Sequence, residues 1–261
     1  MSTPDETLKS RLPRARKRCL RLAIAQFPVS NDVARNLAFM RRQITQSAEE
    51  GAHLVHFPES ALTGYFSKDF SSFAELDRSA VARAEEALAD AAAEAKLWVV
   101  FGSYRRSRGE KPFNCSRVLS PSGELVTTYD KCNLFDRNRE NIECSAGRKL
   151  ATIVVEGVRC GLMICNDSNR ESLYRRYRQL DVKVLLHSYY NARSSRGRTV
   201  FADVILAQLR TRAFDHGFWI SASNSCASYS PLAACLAAPD GSIVGLRRHR
   251  TGVHIGEVPI V

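Results

Sequence analysis

Three side chains of this sequence could together perform nucleophilic catalysis, because each comes directly after a predicted strand. Cys165 ends the apolar run GLMIC, where the amides that begin a following helix would stabilise a thiolate and an adjacent oxyanion. Glu59 follows the strand HLVHF and a proline, so burial could raise its pKa toward that of a general base. Lys131 closes the strand ELVTTYD and could donate to a developing negative charge.

Each of these residues has an ordinary alternative when it is taken alone. A lone cysteine is more often a buried core residue, and a glutamate or lysine at the end of a strand is more often solvated. Their shared position is what makes them informative, because strand ends at one edge of a sheet are where catalytic sites assemble. We therefore expect Glu59, Lys131 and Cys165 to lie in one site.

Alternating strands and helices must position these residues. The predicted strands are 20–27, 53–57, 97–104, 116–120, 124–130, 151–156, 159–165, 182–190, 218–224, and the carboxyl-terminal hairpin and strand within 232–245 and 252–261. The predicted helices are one capped by Asn31 or Asp32 and ended by Gly51, then 79–96, 171–180 and 201–217. The polar segment 132–147 is predicted to be irregular. Mixed αβ units with hairpins indicate an α/β protein in which helices cover mixed sheets.

Composition indicates a globular protein able to bury its own core. The chain has 261 residues, 44% of them hydrophobic, and no stretch approaches the ~18 consecutive apolar residues of a membrane span. The first residues lack the apolar core of a secretory signal, so we expect a cytoplasmic protein. Eight cysteines without a CxxC or Cys/His spacing indicate free thiols, rather than a disulfide scaffold or a zinc site.

Positive charge is concentrated in a short amino-terminal segment. The formal net charge is +11, and seven basic residues with no acidic one lie between Lys9 and Arg21. We expect residues 1–19 to be a basic, flexible arm and residues 20–261 to form one domain, since no repeat or linker tract interrupts them. The arm is either a solvated tail or a contact for an anionic partner. Nucleic acid is not favoured, because no aromatic residues alternate with the basic ones.

Three motifs identify a family resemblance that extends from about Leu20 to the carboxyl terminus. A glutamate lies in the segment HFPE and is followed by a Gly-Tyr pair, a lysine lies in YDK, and a cysteine lies in GLMICND. In this order and at this spacing they resemble the catalytic motifs of the nitrilase superfamily of carbon-nitrogen hydrolases. The glutamate is Glu59, the pair is Gly64 and Tyr65, the lysine is Lys131 and the cysteine is Cys165.

The resemblance implies a four-layer αββα sandwich and a Glu-Lys-Cys triad. Glu59 would be the general base, Cys165 the nucleophile, and Lys131 with the Asn166 backbone amide would hold the oxyanion. The family's fourth residue, a glutamate seven positions before a loop glycine, falls on Glu140. Glu143 is an alternative, because the loop lacks the family's usual aromatic residues and proline. Neither a metal nor an organic cofactor is implied, and a homodimer or larger homo-oligomer is expected.

The expected substrate is a linear amide or an N-carbamoyl compound. Asp167, two residues after the cysteine, resembles the amidase and carbamoylase branches of the family, whereas nitrile hydrolysis and acyl transfer are the alternatives at the same site. A binding protein that keeps the fold without turnover is a further alternative. Four residues are expected to contact the small-molecule substrate: Asn166, Tyr65, Tyr189 and Asn191.

Overall fold

The computed structural model describes residues 18–106, 111–135, 139–191, 200–228 and 230–260, so most of the basic arm predicted over residues 1–19 lies outside the described residues. Within them the chain forms twelve strands and five α-helices. The strands are β1 (Cys19–Gln26), β2 (Leu54–His56), β3 (Trp98–Arg105), β4 (Phe113–Leu119), β5 (Leu125–Asp130), β6 (Thr152–Val155), β7 (Val158–Ile164), β8 (Val184–Tyr189), β9 (Trp219–Asn224), β10 (Cys235–Ala237), β11 (Ile243–Gly245) and β12 (Gly252–Pro259). The helices are α1 (Val33–Glu49), α2 (Arg78–Ala95), α3 (Glu140–Glu143), α4 (Glu171–Gln179) and α5 (Val200–His216).

The strands form two mixed six-stranded sheets. Their orders are β12-β1-β2-β3-β4-β5 and β11-β10-β9-β8-β7-β6. In the first sheet β1, β2 and β3 are parallel, and in the second sheet β7, β8 and β9 are parallel. Parallel strands carry their following loops at one edge of the sheet. The loops after β2 and β7 therefore carry Glu59 and Cys165 at such edges.

The sheets pack face to face, and helices cover their outer faces. Along β1 the side chains alternate, as the period of two in a strand requires. Leu22 and Ile24 join the core between the sheets, whereas Ala23 and Ala25 join the core beneath α1 and α2. Tyr177 of α4 packs against the second sheet, whose β7 passes close enough that a Cβ on Gly161 would contact the tyrosine ring. The α/β fold and the four-layer αββα sandwich predicted from the sequence are confirmed.

Local sequence signals explain most element boundaries. Asp32 caps α1 by accepting a hydrogen bond from the Arg35 backbone N–H at 3.0 Å, as predicted for a short acidic side chain at this position. The segment 132–147, predicted to be irregular, contains the one-turn helix α3. Four residues are too few for a helical period to be recognised in a sequence. This short helix matters because it carries Glu140.

Two glycines allow the segments that carry Glu59 and Lys131 to lie close to their neighbours. A Cβ on Gly102 of β3 would lie 2.2 Å from the Ser60 backbone nitrogen, so the loop after β2 fits only over a glycine. A Cβ on Gly147 would lie 2.1 Å from the Asp130 carbonyl oxygen. The Gly147 N–H donates to the Lys131 carbonyl oxygen at 2.8 Å, which fixes the backbone of that lysine.

Candidate active site

A buried cluster of one lysine and two carboxylates lies between the loop after β2, the end of β5 and α3. The Lys131 Nζ donates to Glu59 Oε1 at 2.8 Å and to Glu140 Oε2 at 2.8 Å. All three side chains are 0% exposed. A buried ammonium needs charge compensation and hydrogen-bond acceptors, and the two carboxylates supply both. The structure thus brings together Glu59, Lys131 and Glu140, three residues that the sequence placed in the site.

Asn114 on β4 joins the two carboxylates, although the sequence did not indicate it. Its Nδ2 donates to Glu59 Oε1 at 2.8 Å and to Glu140 Oε1 at 2.7 Å. Two like charges held by one amide stay at a fixed separation around Lys131. An asparagine inside the otherwise apolar strand start of β4 is the signal that could have identified it, since buried polar side chains in strands need partners.

Glu140 and Glu143 have different surroundings in α3. Glu140 is buried, and its Oε2 also accepts from the Phe135 backbone N–H at 2.8 Å. Glu143 pairs with Arg139 at 2.6 Å, where their side chains are 37% and 67% exposed. Of the two glutamates that the sequence left open, the structure places Glu140 against Lys131 and Glu143 at the surface.

The electrostatics of the cluster keep the lysine charged and the thiol neutral at rest. Burial opposes the Lys131 charge, but the charges of Glu140 and Glu59 outweigh it and raise the pKa of Lys131 well above its usual range. Burial raises the pKa of Glu59, with Lys131 acting against the shift. Burial, reinforced by the Glu59 charge, raises the pKa of the Cys165 thiol well above its usual range. A reaction at Cys165 therefore needs a base that removes the thiol proton during attack.

Cys165 occupies a strained turn whose carbonyl oxygen contacts His187. It begins a 3₁₀ turn, Cys165–Asn169, directly after β7, with φ of +40°, which is a left-handed conformation unusual for a residue other than glycine. Its carbonyl oxygen lies 3.2 Å from His187 Nε2, and His187 Nδ1 lies 3.0 Å from the Tyr189 hydroxyl. The neutral imidazole thus donates to the turn and accepts from the tyrosine. His187 was not identified in the sequence, and Tyr189 contacts the site through it.

The remaining expected residues lie beside the thiol or beside the cluster of Lys131 and the two carboxylates. Asn191 Oδ1 lies 4.0 Å from Cys165 Sγ, and among the described residues its buried Nδ2 has no acceptor. The Tyr65 hydroxyl donates to Glu140 Oε2 at 3.4 Å, and its ring stacks on Tyr190 with centroids 5.1 Å apart. The Asn166 side chain donates to the Leu134 carbonyl oxygen at 3.0 Å, so it orders the loop beside the thiol.

Asp167 ties the lysine segment to the cysteine turn. Its Oδ1 accepts from the backbone N–H groups of Cys132 and Asn133 at 3.1 and 2.7 Å. Its Oδ2 accepts from the Tyr129 hydroxyl at 2.7 Å and the Ile164 N–H at 2.9 Å. One buried carboxylate therefore fixes the residue after Lys131 and the residue before Cys165 in the same network.

We predict that Asp167→Ala lowers the free energy of unfolding by about 3 kcal/mol or more, because four donors lose a buried acceptor. Urea unfolding at pH 7 measures the loss. Asp32→Ala is the matched control, since it removes an exposed helix cap worth about 1 kcal/mol. Equal losses in the two variants would contradict the role given to Asp167.

Two buried histidines give the fold an acid-sensitive region. His56 of β2 lies between the sheets, with Nδ1 2.9 Å from Ser221 Oγ and Nε2 2.9 Å from Ser188 Oγ. Burial, with a smaller contribution from His187, lowers the pKa of His56 to about 3. Burial also lowers the pKa of His187 to about 3, although the Cys165 carbonyl oxygen acts against it.

We predict that stability falls as the pH drops from about 6.5 toward 3, by about 1.4 kcal/mol per pH unit for each of these histidines. The sign follows because the unfolded chain protonates each imidazole near pH 6.5, whereas the folded protein keeps it neutral down to a pKa of about 3. Burial raises the pKa of Asp167 to about 6, so protonation of this carboxyl stabilises the folded protein as the pH falls. This opposite contribution is the same in the wild type and in a histidine variant, so it cancels when the two are compared.

Urea unfolding of the wild type and of His56→Asn between pH 7 and pH 4.5 isolates the contribution of one histidine. The asparagine keeps hydrogen-bonding groups near both serines but does not titrate. The free-energy difference between wild type and variant should shift against the wild type as the pH falls. Parallel pH profiles would contradict a neutral, buried His56.

In the ranges that the structure covers, no group of three or more His, Cys, Asp or Glu side chains is arranged to hold a metal ion. None of the helices in those ranges is long and apolar enough to cross a membrane.

The chain is similar to known proteins in sequence and in fold. The family model for carbon-nitrogen hydrolases matches residues 21–261. Hydrolase C26A3.11 of Schizosaccharomyces pombe is 27% identical over 158 residues, which are 58% of this chain and 48% of that protein. Human omega-amidase NIT2 is 28% identical over 174 residues, 64% of this chain and 62% of that protein. The matched regions thus span between about half and 62% of these relatives.

A solved structure shares the fold. A variant of an amidase from Nesterenkonia sp. AN1 superposes with a TM-score of 0.82 at 19% identity, covering 94% of this chain and 92% of that one. In that structure the acetamide moiety of fluoroacetamide is added covalently at the active-site cysteine. At this level of identity the superposition establishes the common fold.

Proposed function

Since the chain belongs to the carbon-nitrogen hydrolase family, the nitrilase superfamily, we propose that it hydrolyses a non-peptide carbon–nitrogen bond through a covalent bond to Cys165. The observation that supports this proposal is that the two carboxylate oxygens of Glu59 have different hydrogen-bond surroundings. Oε1 accepts from Lys131 and Asn114, whereas the buried Oε2 has no donor among the described residues. One oxygen is held in place, and the other is available for a proton.

In the first half-reaction, Glu59 takes the thiol proton as Cys165 Sγ attacks the substrate carbonyl carbon. The carbonyl electron pair moves onto oxygen, and the Lys131 ammonium and the Asn166 backbone N–H stabilise the resulting oxyanion. That N–H lies in the first turn of the 3₁₀ segment, where no preceding carbonyl of the same turn satisfies it. When the carbon–nitrogen bond breaks, Glu59 gives its proton to the leaving nitrogen, which leaves as ammonia from a primary amide. A thioester remains on Cys165.

In the second half-reaction, water replaces the departed amine. Glu59 takes one proton from the water as its oxygen attacks the thioester carbon, and Lys131 again holds the oxyanion. Collapse breaks the carbon–sulfur bond, releases the carboxylic acid and returns a proton to the sulfur. Glu140 does not contact the reacting carbon in this scheme. It keeps Lys131 charged and fixed, together with Asn114.

The substrate class proposed is a linear amide or an N-carbamoyl compound. Support comes from the amidase names of the relatives and from the surroundings of the thiol. Asn191 is the most direct of the four expected substrate contacts, because its buried Nδ2 lacks an acceptor beside the nucleophile. Tyr65 forms the wall next to Glu140, and Asn166 contributes its backbone. Tyr189 acts through His187, since its hydroxyl lies against that imidazole.

The test is ammonia release from butyramide, N-carbamoylglycine and butyronitrile by the full chain. Release from the amide or the carbamoyl compound, with none from the nitrile, is the expected result. Ammonia from the nitrile alone would replace the amide assignment with nitrile hydrolysis. Transfer of the acyl group to hydroxylamine without net hydrolysis would replace it with acyl transfer, and binding of all three without turnover would favour a silent binding protein.

Three further expectations from the sequence stay predictions: self-association as a homodimer or larger, one domain over residues 20–261, and a separate arm over residues 1–19. Sedimentation velocity of the full chain, and of a chain lacking residues 1–19, addresses all three. If the arm only extends into solvent, its removal leaves the assembly and the turnover unchanged. A lost, salt-sensitive association would instead give the arm an anionic partner.

A further inference from the structure

A cavity of about 200 Å³ lies on the outer side of the first sheet, between α2 and the ends of β3 and β4. Four arginines line it: Arg78, Arg105, Arg106 and Arg117. Glu85 is the one carboxylate among the lining residues that the structure describes. The residues around Cys165 do not line this cavity. It is therefore separate from the site described above.

Two of the arginines are held in position by ion pairs. Arg105 forms a two-pronged pair with Asp130, with Nε 2.7 Å from Oδ1, and its guanidinium lies 4.3 Å from the centre of the Phe113 ring. Arg117 pairs with Glu85 at 2.8 Å. These contacts fix both guanidinium groups, and Arg117 keeps a buried Nε that has no partner among the described residues.

The other two arginines are available for a ligand. Arg78 in the first turn of α2 and Arg106 directly after β3 are exposed, and neither side chain makes an ion pair or hydrogen bond with any described residue. Four arginines against the two carboxylates of Glu85 and Asp130 leave an excess of two positive charges. Several guanidinium groups around one cavity favour an anion with several acceptor oxygens.

The floor of the cavity is apolar. Phe73, Tyr104 and Pro112 contribute to the lining, and the Tyr104 hydroxyl already accepts from the Phe66 backbone N–H at 3.1 Å. Tyr104 therefore presents its ring rather than a free hydroxyl. A volume of about 200 Å³ corresponds to roughly seven water volumes, or an organic molecule of about ten non-hydrogen atoms. One ring with one charged group attached has this size.

We propose that this cavity binds a small organic anion with a flat apolar body and a carboxylate or phosphate group. The body packs on Phe73 and Tyr104, and the charged group lies between Arg78 and Arg106. Neither of these contacts requires turnover, so binding at this cavity can be tested independently of the hydrolase activity. Arg105 also connects the cavity to the catalytic cluster, because its partner Asp130 directly precedes Lys131.

The test is calorimetric titration of the full-length Cys165→Ala protein with phenyl phosphate and with benzoate at constant ionic strength. Comparison of the two identifies which charged group the arginines prefer. Inorganic phosphate supplies the charged group alone and benzyl alcohol the body alone. Introducing Arg78→Ala and Arg106→Ala together into the Cys165→Ala protein should raise the Kd for the preferred anion by about tenfold or more. A tenfold change equals about 1.4 kcal/mol. Arg83→Ala, an exposed arginine of the same helix outside the lining, should not change it.

Saturable binding of either organic anion, weakened by the double substitution and not by the control, supports the site. Equal affinity in the double variant and the control would overturn it, as would the absence of saturable binding by both organic anions. Inorganic phosphate or benzyl alcohol binding as tightly as phenyl phosphate would also overturn it, because each lacks one half of the proposed ligand. Unchanged unfolding midpoints are expected for all variants, since the substituted arginines are exposed.

Discussion

Lys131→Ala is expected to reduce kcat/KM by about 10³-fold or more and to lower the free energy of unfolding by about 3–5 kcal/mol. The loss of activity follows because the variant lacks the ammonium that would stabilise the oxyanion. The loss of stability follows because Glu59 and Glu140, both 0% exposed, are left as like charges without a counterion. Few single substitutions in this chain should affect both quantities so strongly.

Lowering the pH separates the two effects of Lys131→Ala. Protonation of Glu59, whose pKa is raised by burial, removes the repulsion, so the stability difference between the variant and the wild type should shrink in mild acid while the activity of the variant stays low. Lys183→Ala is the control, because that lysine pairs with Asp181 at the surface, where their side chains are 61% and 81% exposed. A surface pair of this kind is worth about 1 kcal/mol or less. A turnover rate in Lys131→Ala equal to that of the wild type would contradict the proposed role of Lys131 in stabilising the oxyanion.

Cys165→Ala is expected to abolish turnover while leaving the fold intact. Cys165 is only half-buried at the margin of the core between the sheets, and its Sγ lies 4.0 Å from Asn191 Oδ1. Its removal therefore costs little packing. Circular dichroism and the urea midpoint should match those of the wild type, whereas ammonia release should fall to the uncatalysed level. Substantial residual activity would exclude Cys165 as the nucleophile.

A matched control for the cysteine lies on the same strand. Cys160 is 0% exposed in β7, five residues before Cys165. Cys160→Ala removes a buried sulfur and should lower stability by about 1 kcal/mol without changing kcat. The two cysteine substitutions should thus have opposite signatures, one on turnover and one on stability. Loss of activity in both would indicate that any change in β7 disturbs the site.

The elements that can be predicted from the sequence are those long enough to show a periodic hydrophobic pattern or those that begin with a clear capping residue. β1 and α1 were predicted within two residues because alternation in the strand and Asp32 at the helix start are local signals. Helix α3 was not, because one turn has no period of its own. Its position depends on the contacts of Glu140, which reach Asn114 and Tyr65, 26 and 75 residues earlier in the chain, as well as the nearer Lys131.

The residues of the candidate site likewise fall into those that the sequence predicts and those that depend on contacts in the folded protein. Glu59, Lys131 and Cys165 could be chosen because each follows a strand, and the structure places the first two 2.8 Å apart. Asn114 is marked only as a polar residue in a strand that needs partners, and its partner Glu59 lies 55 residues away in sequence. His187 has no such local signal, and the Cys165 carbonyl that it contacts lies 22 residues away. Such contacts depend on strand register and sheet packing. The choice between Glu140 and Glu143 likewise required their burial, which the loop sequence does not encode locally.

Intact-mass analysis of the full chain during inactivation by fluoroacetamide tests covalent catalysis by Cys165 most directly. We expect one acetamide moiety per chain, located at Cys165 by peptide mapping, with none at the other cysteines. Loss of turnover should rise in proportion to this labelling, and Cys165→Ala should stay unlabelled. Turnover that persists in fully labelled protein, or equal labelling of Cys165→Ala, would contradict covalent catalysis by Cys165.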